Sequence, residues 1–83
     1  MTLRVQFFGR PSDLFGPRLD IEIPADGLPL SELRRLLVKS EPQASDLFER
    51  HAVRVAIDDV ISAEDVVVRP GQTVEFFSLF SGG

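Results

Sequence analysis

Eighty-three residues with 43% hydrophobic and 27% charged side chains are expected to make one small globular domain over residues 1–83. A chain this short buries only about 60–65% of the surface its unfolded form exposes, and a pocket of roughly 300 Å³ or more would hollow out so thin a core. Chemistry is therefore expected at the surface or at a chain end. Cysteine is absent, which excludes disulfides, thiolate metal sites and a thiol nucleophile; His51 is the sole histidine, and a net charge of −4 with scattered cations argues against nucleic acid.

Along the chain, Leu3, Val5 and Phe7 alternate with Arg4, Gln6 and Phe8, which predicts a half-buried first strand. Gly9, Pro11, Ser12, Asp13, Gly16 and Pro17 predict a loop, after which Leu19, Ile21 and Ile23 alternate with Asp20 and Glu22 as a strand returning in a hairpin. Pro24 to Pro29 interrupts the sheet. From Leu30 the apolar positions Leu30, Leu33, Leu36 and Leu37 follow helical spacing to about Ser40, with Ser31 as the expected N-cap, Glu32 in the first turn and Pro42 beyond the end.

Ala44, Leu47 and Phe48 suggest a short second helix. Val53, Val55 and Ile57 predict a strand, Asp58 and Asp59 a turn, and Val60 and Ile61 a brief edge strand. Val66 to Val68 lead to Pro70 and Gly71, which suit the two central positions of a type II turn. A final strand follows with Val74 and Phe76 on one face and Glu75, Phe77 and Leu79 on the other, and the sequence closes with Phe80, Ser81, Gly82 and Gly83. One helix across one face of a mixed sheet of four to five strands buries these apolar faces, so the expected fold class is α+β, a β-grasp with a flexible tail at 80–83.

The closing glycines carry no side chain, so the terminal carboxylate of Gly83 is unhindered and the segment Ser81, Gly82, Gly83 can thread a narrow tunnel. Transfer of the carboxylate to the phosphate of AMP makes it an acyl donor, and a sulfur donor then converts it to a thiocarboxylate. Alone, a Gly-Gly end is a weak signal, and frayed termini or cloning remnants are the commoner explanations. Its position directly after a strand, with no linker, favours the functional reading.

Over its whole length the chain resembles the small, ubiquitin-like subunit of molybdopterin synthase, within the prokaryotic sulfur carriers that include the thiamine-pathway carrier. The residues behind that resemblance are Phe7 and Phe8, the helix from Leu30, the Val53 to Ile57 strand, and Pro70 to Phe77 leading to Ser81, Gly82 and Gly83. In the family two prolines and a small aliphatic residue usually follow the paired aromatics; here Ser78, Leu79 and Phe80 stand instead. The resemblance implies that an E1-like adenylyltransferase activates Gly83 with ATP and a sulfur donor enzyme loads it. The tail then enters the molybdopterin synthase large subunit and gives sulfur to cyclic pyranopterin monophosphate, in molybdenum cofactor biosynthesis. On that reading the chain binds no cofactor of its own, the catalytic residues sit on the large subunit, and the assembly is a hetero-oligomer of two small and two large subunits.

Strand parity adds an expectation of its own. If Leu3, Val5, Phe7, Val74 and Phe76 face the helix, then Phe8 and Phe77 lie on the open face near the tail, where an aromatic pair favours docking. Val60 is a further candidate for that patch and Arg10 for its rim; Phe8 and Phe77 as ordinary core residues, or covered by a loop, is the alternative. His51 reads as a solvated or capping residue, Asp58 and Asp59 as turn formers, and Arg34 with Arg35 as a solvated helix face.

Carriers for thiamine, cysteine or another metabolite remain open, as does a non-covalent ubiquitin-like interaction module. A protein modifier that built chains would want several lysines, and Lys39 stands alone. No apolar run approaches the ~20 residues of a membrane helix and Met1 to Arg4 does not open a signal peptide, so a cytoplasmic protein without membrane or nucleic-acid partners is expected.

Overall fold

The structure, a computed structural model, describes residues 1–49, 53–62 and 65–78. In chain order these form β1 (Thr2–Phe8), α1 (Arg10–Phe15), β2 (Arg18–Glu22), β3 (Leu28–Pro29), α2 (Leu30–Ser40), α3 (Ala44–Glu49), β4 (Val53–Ile57), β5 (Val60–Ser62), β6 (Val67–Val68) and β7 (Thr73–Ser78). Five strands make one mixed sheet in the order β2-β1-β7-β4-β5, and β3 pairs with β6 in a separate two-stranded sheet. Strands β1 and β7 are central and parallel, while the other pairings of the main sheet are antiparallel. This is the β-grasp arrangement expected from the sequence.

The period-2 pattern is realised as one dry face and one wet face. Leu3, Val5, Phe7, Val55, Val74 and Phe76 are all nearly inaccessible and join Leu30, Leu33 and Leu37 of α2 in one core cluster. Leu36 is 42% exposed instead, because it falls off the stripe that Leu30, Leu33 and Leu37 lay along the helix. No polar or charged residue is buried among the described residues. Phe7 stacks between Phe15 and Phe76, with ring centroids 4.7 and 5.8 Å away.

That Phe15 contact explains the first departure from the sequence reading. Residues 10–15, expected as loop, form a helical turn and a half: Gly9 (φ 72) opens it, Pro11 sits in its first turn, and Gly16 (φ 78) closes it by donating its N–H to the Ser12 carbonyl at 2.8 Å. Turn-forming residues mark where the extended chain stops. They do not say that Pro11 and Phe15 will be drawn inward to finish the core.

A second departure concerns α2. Pro29, not Ser31, occupies the N-cap and makes no side-chain cap bond. The cap comes from Asp65, whose two carboxylate oxygens accept the Ser31 backbone N–H at 2.7 Å and the Ser31 hydroxyl at 2.9 Å. These bonds hold the Asp65 carboxyl below the usual carboxylate range. Pairing of β3 with β6 places Val67 and Val68 beside Pro29 and Leu28, which carries Asp65 to the helix start.

Both turns behave as expected. Asp58 (φ 50) and Asp59 (φ 69) form the two-residue loop of the β4–β5 hairpin, the conformation a type I′ turn requires. Gly71 (φ 89) takes the left-handed position of the 69–72 turn, closed by Gln72 N–H donating to the Arg69 carbonyl at 3.1 Å.

Candidate functional site

The open face of the sheet is built from the residues that alternate with the core. Register places them in rows: Phe8 beside Phe77 beside Arg54, and below them Arg18, Gln6, Glu75, Ala56 and Ile61. Phe8 is 48% exposed and Phe77 half-buried, so two aromatic rings stand side by side on the wet face, at the end where β7 finishes. Next to Phe8 the surface is concave, with a hollow of about 680 Å³ lined by Gln6, Phe8, Gly9, Ser12, Pro17 and Arg18. Arg10 is exposed at the first position of α1, two residues beyond Phe8.

Val60 is not part of this patch. It pairs with Ile57, whose neighbours across the sheet are Val74 and Val5, so it belongs to the helix-side parity and protrudes at the sheet edge. Ile61 takes its place: paired with Ala56 and 63% exposed, it lies on the same face as Phe77. A two-residue turn and a three-residue strand leave too few positions for alternation to declare a side. Only the pairing with β4 reveals it.

Glu75 sits in the middle of the open face. Its carboxyl is pushed above the usual range, first by partial burial and then by a hydrogen bond with, and the charge of, Asp59. The neighbouring Asp58 is absorbed by structure, accepting the Thr73 N–H at 3.0 Å and the Gln72 side-chain amide at 3.2 Å. No group of three His, Cys, Asp or Glu able to hold a metal occurs among the described residues. The groove between α2 and α3, about 420 Å³, is lined among the described residues by Arg34, Arg35, Val38, Lys39, Ser45, Phe48 and Glu49.

Leu79, Phe80, Ser81, Gly82 and Gly83 lie outside the described residues, as does His51. The last described position of β7 is Ser78, against Gly9 and Arg10: the Arg10 backbone N–H donates to Ser78 Oγ at 3.4 Å. None of the described helices is long and apolar enough to cross a membrane.

A mixed five-stranded sheet with its main helix on one face, and a solvent-facing aromatic pair where the last described strand ends, defines a ubiquitin-like β-grasp fold. The family model described as "ThiS family" matches residues 5–83, and the chain belongs to that family of sulfur carriers. No curated protein matches it in sequence. Among solved structures, a chain of the protein–protein complex of subunits 1 and 2 of molybdopterin-converting factor from Helicobacter pylori 26695 is similar over 100% of both chains, with a TM-score of 0.69 and 21% identity.

Proposed function

We propose that this protein is the sulfur-carrying small subunit of a molybdopterin synthase. The observation that carries the reading is the Phe8–Phe77 pair, in register on the open face at the end of the strand that runs into the Ser81, Gly82, Gly83 tail. The full-length likeness to a chain of a molybdopterin-converting factor complex supports the choice of pathway.

In the proposed cycle the Gly83 carboxylate attacks the α-phosphorus of ATP on an E1-like enzyme, releasing pyrophosphate and leaving an acyl-adenylate. Sulfide released from the sulfur donor attacks the acyl carbon, the acyl–oxygen bond to AMP breaks, AMP departs, and Gly83 becomes a thiocarboxylate. The open face then docks on the large subunit, Phe8, Phe77 and Ile61 supplying apolar contact with Arg54 and Arg10 at the rim. The tail enters that subunit's active site, where sulfur passes to cyclic pyranopterin monophosphate and water restores the carboxylate. The carrier contributes no general acid or base. Its work is to present one reactive group at a fixed place.

The test is intact-mass measurement after incubation with ATP, the activating enzyme and a sulfur donor. A gain equal to the difference between sulfur and oxygen is expected for the full chain and none for a chain lacking Gly83; equal gain by the truncated chain would refute the mechanism. Turnover of the pterin precursor with the large subunit then separates this pathway from thiamine synthesis, for which the same loaded carrier would support thiazole formation instead.

A further inference from the structure

We propose that Gly9 and Ser78 form a latch that sets the direction in which the reactive tail leaves the sheet. The inference rests on Gly83 as the sulfur-bearing group.

Gly9 and Ser78 each directly follow one member of the docking pair, Phe8 and Phe77, on the parallel strands β1 and β7. Two features make the contact specific. Gly9 holds φ 72, a conformation that side chains with a Cβ rarely adopt. A Cβ placed on Gly9 would also overlap Ser78 Oγ and lie 3.4 Å from Ser78 Cβ, so the absence of a side chain lets Ser78 lie directly against the β1–α1 junction. The Ser78 hydroxyl receives the Arg10 N–H at 3.4 Å, and the junction is itself braced, since the Ser12 hydroxyl and N–H both donate to the Gly9 carbonyl, at 2.6 and 3.0 Å. Phe15 ties the same turn to the core through Phe7.

Consequently the root of the tail is referenced to the docking surface. Five residues separate Ser78 from the carboxylate, a span of at most about 17 Å when extended. Over so short a reach, the direction of the first step decides whether a chain end finds a tunnel in the docked partner, and fixing it raises the effective concentration of Gly83 there. Ser78 and Gly9 are thus positioning residues, acting through the tail and not on the sulfur itself.

The decisive variant is Ser78→Ala, with Ser78→Thr as the conservative control that keeps a hydroxyl. Loaded with sulfur and saturated with the large subunit, Ser78→Ala is expected to transfer roughly two- to tenfold more slowly, the effect of one lost hydrogen bond. Its affinity for the large subunit should stay at the wild-type value and its thermal midpoint should fall by no more than the few degrees one hydrogen bond supplies, and Ser78→Thr should recover most of the rate. The backbone order parameter of Ser78 in the free protein should fall in the alanine variant alone. Equal transfer rate and equal order in Ser78→Ala would overturn the latch, as would a parallel loss of stability and affinity, which would make Ser78 merely structural. A wild-type chain that accepts no sulfur at Gly83 would overturn the functional reading instead, and the order parameters would then decide the latch alone.

Discussion

The two faces of the central sheet are made by the same strands, yet they differ in almost every physical respect. On the helix side Val5, Phe7, Val74 and Phe76 are within 2% of complete burial and belong to one apolar core cluster. On the open side the intervening residues are Gln6, Phe8, Glu75 and Phe77, two aromatics, an amide and a carboxyl group in partial contact with water. An aromatic ring on the first face contributes to folding. The same ring on the second, partly in water, contributes less to folding and keeps apolar area that the proposed docking would cover.

Exchanging roles between neighbouring phenylalanines is the strongest way to break this contrast. Phe76→Ala should cost about 3–5 kcal/mol of stability, comparable to the whole stability of a small domain, and chemical denaturation should show a largely unfolded chain. Phe77→Asp should leave the circular dichroism and melting curve close to wild type while weakening large-subunit binding by about 2 kcal/mol or more, measured by calorimetry. An unfolded Phe77→Asp chain would erase the distinction between the faces.

A narrower test uses the edge strand. Ile61→Asp should weaken binding by about 1 kcal/mol, whereas Val60→Asp, one residue away and on the other parity, should leave affinity within about 0.5 kcal/mol of wild type. Reversal of that order would mean that β5 is paired one residue out of register.

Titration distinguishes the faces in the opposite sense from the helix cap. Asp65 is held below its ordinary value of 3.8, so its capping contribution is present above that pH and is lost as pH falls through the lowered value. Asp65→Ala should lower the melting midpoint at neutral pH and flatten its acid dependence. Glu75 is held above its ordinary value of 4.5, so the stability it lends is present below 4.5, where it is protonated, and is lost as pH rises through the raised value. Glu75→Gln should remove that dependence and raise neutral-pH stability by about 0.5 kcal/mol or less, since the group is near the surface. A midpoint lowered at neutral pH by Glu75→Gln would contradict the repulsion assigned to Asp59.

Much of this was legible in the sequence because alternation is local. Leu3, Val5 and Phe7, or Val74 and Phe76, declare their own face within a few residues, and Leu30 to Ser40 declares its helix by spacing. Pro70 with Gly71, and Asp58 with Asp59, carry turn chemistry in their backbone preferences. The Phe8–Phe77 neighbourhood also followed, given that the first and last strands of a β-grasp lie side by side.

What the sequence could not decide depends on contacts between distant residues. Val60 or Ile61 on the open face is a matter of pairing across a hairpin only three residues deep, and a one-residue change of register exchanges them. The α1 turn exists because Phe15 completes a stack on Phe7, and α2 is capped by an aspartate 34 residues away. Gly9 meets Ser78 across 69 positions of sequence, where neither residue type nor spacing announces the other. By itself the sequence determined the strands of the main sheet, the main helix and a candidate reactive group; the tertiary structure alone decided the β3–β6 pairing and which side chains of different segments share a face, because register and packing are settled between segments and not within them.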